Sequence, residues 1–165
     1  MNKFLTLVLA IAMTTGAARA ASVKYDYDKS VDFASYKSWA WSEPETAGGG
    51  SIPEARIRQA LEAGFVADGF MQQDRAAVDF FVDYHAAARQ DVRFDETFRG
   101  PGFGRDLRMN RMPMGVLVVD VIDARTGKLA WRGIVEDALA SDPQKADKKT
   151  EKAVAKLLKK FPPES

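Results

Sequence analysis

Residues 115–123 read Gly115-Val116-Leu117-Val118-Val119-Asp120-Val121-Ile122-Asp123, and after Ala124 come Arg125-Thr126-Gly127-Lys128 and then Leu129-Ala130-Trp131. Leu117, Val119 and Val121 recur at every second position, which places them on one face of an extended chain. The four residues from Arg125 are turn formers, so the segment predicts a β-hairpin. A hairpin needs further strands to make a sheet, and the chain supplies them. Over residues 77–85 the period is again two, with Phe80, Val82 and Tyr84 on one face and Asp79, Phe81, Asp83 and His85 on the other. This strand is expected to pair with residues 115–123.

Upstream, Val23, Tyr25 and Tyr27 alternate with Lys24, Asp26 and Asp28, the pattern of a first strand with one buried face. Trp39 and Trp41 lie two apart in a second short strand, so both rings point to the same side and anchor the core. Between these strands and the hairpin, Ser51 and Glu54 form a capping box that starts a helix running to about Asp68. Ile57, Leu61 and Phe65 give that helix a narrow apolar stripe, and Gly69 stops it. A closing helix over residues 147–161 places Ala153, Val154, Leu157, Leu158 and Phe161 at helical spacing with lysines elsewhere. Two amphipathic helices need an apolar surface to cover, so the expectation is an α+β fold: a two-layer sandwich, mainly antiparallel, with both helices packed on one face of the sheet.

The chain has 165 residues, 46% hydrophobic and 28% charged, far from the composition of a disordered polymer. Residues 1–20 read as a secretory signal peptide: Lys3 opens it, Phe4 to Met13 form an apolar core, and Ala18-Arg19-Ala20 is a small-x-small cleavage site. The apolar stretch is shorter than the roughly 20 residues that cross a bilayer. Cleavage leaves residues 21–165 as one domain, exported to the periplasm and soluble there, with no transmembrane segment. With 24 Lys plus Arg against 23 Asp plus Glu, the overall charge points to no polyanionic partner, and nucleic acid is not expected. The absence of Cys removes thiolate nucleophiles, thiolate metal sites, disulfides and a lipid-modified cysteine.

The order of these segments resembles a known family. Val23-x-Tyr25-Asp26-Tyr27-Asp28, Asp32-Phe33-x-x-Tyr36-Lys37-x-Trp39-x-Trp41, Asp68-Gly69-Phe70, Val78-Asp79-Phe80, the hairpin from Gly115 to Gly133 and the ending Phe161-Pro162-Pro163 are similar, in register, to the bacterial family of domain of unknown function 4136. The resemblance spans nearly all of residues 21–165. It implies a small exported α+β domain of the bacterial envelope, often lipid-anchored, and it carries over no catalytic residue, ligand or cofactor. Here Ala20 and Ala21 stand where the lipoprotein members have their modified Cys.

Several constellations invite a functional reading. His85, the one histidine, shares a strand face with Asp83 and Asp79, which suggests either a hydrolase using His85 with one of those carboxylates or a divalent-cation site. No nucleophile motif accompanies it and the spacing is not that of a metal site, so an ordinary polar strand face is favoured and neither a catalytic residue nor a metal is expected. Ser51 follows Gly48, Gly49 and Gly50 at a helix start, where an anion can bind, but the Lys of a phosphate loop is missing and helix capping is the better account; no cofactor is expected. Trp39, Trp41 and Trp131 would stack on sugars if exposed, and burial is the commoner outcome. The lysines of the last helix suit a solvated outer face better than a membrane surface.

The stretch 93–111 is the most unusual. It carries Arg93, Arg99, Arg105, Arg108 and Arg111 against Asp95, Glu96 and Asp106, with Phe94, Phe98 and Phe103 between them. Gly100, Pro101, Gly102 and Gly104 predict a flexible loop, and arginines interleaved with aromatic residues suit phosphates or anionic polymers. Arg99, Arg105, Arg108 and Arg111 are therefore the candidate ligand-binding residues. Their expected partner is an anionic envelope component or another envelope protein, and the expected function is non-catalytic binding or scaffolding in the cell envelope.

Overall fold

A computed structural model of the chain describes residues 21–42, 51–98, 105–140 and 142–163, and for residues 93–98 and 105–110 it describes the backbone. In chain order the elements are strand β1 (Ser22–Tyr27), β2 (Ser38–Trp41), helix α1 (Ile52–Ala67), β3 (Met71–Gln72), β4 (Phe80–Phe98), β5 (Arg105–Asp123), β6 (Leu129–Ala138) and helix α2 (Pro143–Leu158). The described strands form a single sheet in the order β1-β6-β5-β4-β2-β3.

The expected hairpin is present. β5 and β6 pair antiparallel with Val121 opposite Trp131 and Leu117 opposite Val135, and Gly127 supplies the positive φ that the turn requires. β4 pairs antiparallel with β5, and β1 with β6. The other half of the sheet departs from expectation: β2 runs parallel to both β4 and β3, so the sheet is mixed rather than mainly antiparallel. The reason lies in the connection. α1 has 16 residues and spans about 24 Å. It returns the chain to the end of the sheet where β2 began, so the strand that follows and pairs with β2 runs the same way.

One cluster holds the elements together. Trp39 and Trp41 of β2, Phe80 and Val82 of β4, Leu117, Val119 and Val121 of β5, and Trp131 and Val135 of β6 are all buried. They meet Leu61 and Phe65 of α1 and Val154, Leu157 and Leu158 of α2 in the same core. Full burial of each such side chain contributes roughly 1.5–3 kcal/mol. Phe161, just past α2, is a hub: its ring lies 5.5 Å from Phe80, 5.5 Å from Phe70 and 5.3 Å from Trp131, centroid to centroid.

Boundaries follow local chemistry. The Glu54 carboxylate accepts from the Ser51 N–H at 2.6 Å, closing the capping box that starts α1, and Gly69, with φ 89°, turns the chain out of it. α2 begins four residues earlier than its apolar pattern, because the Asp142 carboxylate accepts from Gln144 N and Pro143 occupies the first turn. β1 is an edge strand. Val23 and Tyr27 are half-buried, but Tyr25 stays 44% exposed, so the expected buried face is only partly formed.

Candidate functional site

The stretch read as a flexible loop is mostly strand. β4 extends to Phe98 and β5 begins at Arg105, and their register runs unbroken from Phe80↔Asp123 to Phe98↔Arg105. Only Phe80–Val82 of β4 pairs with β2, and β6 follows β5 as far as Met114, with a last bond from Leu139 N to Pro113 O of 2.8 Å. From Asp91↔Met112 outward, the two strands are each other's only partners among the described residues. This arm is about 30 Å long. The loop reading holds for neither described part of the stretch, 93–98 or 105–111, where charged residues interrupt the apolar alternation and conceal a period-2 pattern; Gly100, Pro101, Gly102 and Gly104, on which that reading rested, lie outside the described residues.

Register also sorts the candidate arginines. Positions 92, 94, 96 and 98 of β4 share a face with 105, 107, 109 and 111 of β5, which groups Val92, Phe94, Glu96 and Phe98 with Arg105, Leu107, Met109 and Arg111. The opposite face holds position 108, where Arg108 pairs in register with Asp95. Arg111, in register with Val92, is exposed. The four arginines thus form no single cluster: Arg105 and Arg111 lie on one face about 20 Å apart, Arg108 lies on the other, and Arg99 falls outside the described residues.

At the base of the arm lies a groove of about 430 Å³, which sequence reasoning missed. Ala86 and Ala88 of β4, Gly115 and Leu117 of β5, Ile57 of α1 and Ala153 of α2 line it. It exists because the sheet carries Ala and Gly where the cluster deeper in carries Phe and Val. Ala86-Ala87-Ala88 running into a strand was the available signal, with Gly115 in register opposite Ala88. The charged groups at its rim are engaged with one another: Lys149 lies 3.5 Å from Asp137, and Arg56 pairs with Asp147.

A smaller polar cavity of about 180 Å³ lies between the β1 exit and the β5–β6 turn. Tyr36 Oη donates to Asp123 Oδ2 at 2.9 Å, and Thr126 N donates to Asp123 Oδ1 at 2.7 Å. Burial and the neighbouring carboxylate push the Tyr36 hydroxyl up. Burial pushes Asp123 up as well, but the hydrogen bonds from Thr126 and Tyr36 outweigh it and hold the carboxyl below the usual range. The network closes the turn on itself.

His85 and its carboxylates do not assemble into a site. Its side chain is 71% exposed, on the sheet face away from the core, with Asp83 Oδ2 at 3.6 Å. It lines neither cavity. Asp79 precedes the strand and turns elsewhere: its Oδ2 accepts from Lys37 N, Ser38 N and Ser38 Oγ at 2.8, 2.8 and 2.9 Å, and these bonds hold its carboxyl below the usual range. Among the described residues no group of three or more His, Asp or Glu stands close enough to hold a metal. Trp39, Trp41 and Trp131 are core residues, and the Ser51 backbone caps α1.

The fold and its surfaces define a small α+β domain with an extended two-stranded arm. The chain belongs to the family described as domain of unknown function (DUF4136), which matches residues 23–163. No curated protein matches it. Among solved structures, a PDZ domain protein from Parabacteroides distasonis is 16% identical with a TM-score of 0.59 over 88% of this chain; the match spans 37% of that protein, so the likeness is one of fold to part of a longer chain. The PelC dodecamer from Paraburkholderia phytofirmans is 15% identical, TM-score 0.45, over 84% of this chain and 95% of the other. A putative neuraminyllactose-binding hemagglutinin homolog from Helicobacter pylori is 14% identical, TM-score 0.39, over 78% and 87%.

Proposed function

We propose that this chain is a non-catalytic binding domain of the cell envelope, exported through the leader at residues 1–20, cleaved after Ala20 and soluble in the periplasm. In this reading the body is a two-layer sandwich with α1 and α2 on one face, and the arm is the contact element. Its ligand is a phosphate-bearing anionic envelope component, a lipid headgroup or a lipopolysaccharide phosphate, met by Arg99, Arg105, Arg108 and Arg111.

The observation that carries the reading is the arm itself. A two-stranded ribbon is marginal in water, so one that runs about 30 Å past its sheet gains by having something to lie against. Aliphatic and aromatic residues, with one acid, Glu96, share a face with Arg105 and Arg111, neither of which has an acidic register partner, a combination that suits a surface with apolar and phosphate parts. Arg108 has Asp95 as its register partner and contributes less. Consistent with a chain that meets a membrane from outside, no helix among the described residues is long and apolar enough to cross one.

Retention on vesicles of anionic phospholipid, and separately on lipopolysaccharide, tests this. Neutralising Arg99, Arg105 and Arg108 together lowers retention on one or both with the fold intact. Replacing Arg105 and Arg111 by Gln weakens it roughly tenfold or more at low salt, while Arg108→Gln costs less. Equal retention of all variants at low salt rejects the arm as the contact.

A further inference from the structure

The outer edge of β4 is a second surface, distinct from the faces of the arm. Val82 O accepts from Ser42 N at 2.8 Å, so the backbone groups of Val82 point toward β2. Backbone direction alternates along a strand, and the outward groups farther on are those of Ala86, Ala88, Gln90 and Val92. β2 ends at Trp41, and no described strand lies beside these four residues. They are exposed. The edge also lacks the usual guards: between Ala86 and Val92 there is no Pro, no Lys and no bulge.

We propose that this edge pairs with the same edge of a second copy of the chain, antiparallel and centred on Gln90. The side-chain pattern is self-complementary in that register. Arg89 falls opposite Asp91 of the second copy, and Asp91 opposite its Arg89, on the sheet face away from the helices. On the other face Ala88 meets Val92 of the second copy, small against large. Arg89 is 54% exposed and in the single chain is paired at 2.6 Å with Glu136 of β6, on the side of β4 away from this edge, so pairing of two copies exchanges Glu136 for Asp91 as its partner. Moving the centre by one residue, to Asp91, sets Asp91 against Asp91 and Arg89 against Arg93, like against like. The charge order therefore favours the Gln90-centred register, the one that sets Arg89 against Asp91 twice, and the result is one sheet continuous across both copies.

The test is the association state of the purified chain across a concentration series by sedimentation equilibrium. The expected species has twice the mass of the chain. Ala88→Pro removes an outward N–H that β5 does not use, so the variant keeps its circular dichroism and dimerises at least about tenfold more weakly. Arg89→Asp and Asp91→Arg are each expected to be monomeric alone and to dimerise when mixed, because mixing restores both opposite-charge pairs. The chain has no cysteine, so Gln90→Cys gives a clean probe. Residues paired at the two-fold lie about 5.5 Å apart at Cα, within disulfide reach, and an added oxidant should link the copies through position 90. A monomer at every concentration overturns the proposal, as does a dimer that ignores Ala88→Pro and leaves Gln90→Cys unlinked.

Discussion

Trp39 and Trp131 are both fully buried, yet their indole N–H groups fare differently. Trp131 Nε1 donates to Lys160 O at 3.0 Å, while Trp39 Nε1 has no partner among the described residues. A buried unpaired donor costs about 1–3 kcal/mol. Trp39→Phe should therefore destabilise less than Trp131→Phe by about 1 kcal/mol in urea unfolding, and equal losses would contradict that assignment. Asp79 fastens the start of β2 through two backbone N–H groups and a hydroxyl, so Asp79→Ala should cost about 2 kcal/mol. Asp79 and Asp123 are both held below the usual carboxylate range. On acidification the unfolded chain takes up these protons before the folded one does. Their contribution is whole above the unfolded pKa of about 4 and drains as pH falls through the lower folded values. Urea midpoints should stay level from about pH 7 to 5 and drop below about pH 4, and Asp79→Ala should flatten that drop. At this scale the sequence disclosed the tryptophans, because two-residue spacing fixes a face. It misplaced Asp79, because parity arguments hold only inside a strand and Asp79 stands just before one.

The elements divide by how local their signals are. α1 was legible from Ser51, Glu54, Ile57, Leu61, Phe65 and Gly69, all within one helix. The β5–β6 hairpin was legible from alternation and its turn. The direction of β2 was not, because it depends on where a 16-residue helix delivers the chain, and the length of β4 and β5 was not, because the ladder between them is set by cross-strand pairing rather than by apolar residues. Packing between elements is tight at Gly133. A Cβ there would stand 2.2 Å from Trp131 Cη2 and 2.7 Å from Leu157 Cδ1. Gly133→Ala must displace a buried ring as well as a leucine of α2, so it should cost about 1–3 kcal/mol and lower the thermal midpoint. An unchanged midpoint would contradict the close approach of Leu157 to Gly133.

For the whole molecule, the central division is between a body that holds the core and an arm that, among the described residues, pairs only with itself. The core described above lies in the body, and from Asp91↔Met112 outward the arm's ladder has no third strand beside it among the described residues, so the arm should exchange its amide hydrogens sooner than β5 and β6 do within the sheet. The candidate site was legible in part. The arginines and aromatic residues were visible, but their separation onto two faces, the groove at the base of the arm and the edge of β4 that no described strand covers all arise from register, which composition does not carry. The most direct measurement replaces residues 91–112 with Asn-Gly and compares this shortened chain with the intact one, both for thermal unfolding and for retention on anionic vesicles and on lipopolysaccharide. The expected result is a midpoint within a few degrees of the intact chain together with loss of retention. Full retention by the shortened chain, or collapse of its fold, would contradict the division of labour between body and arm.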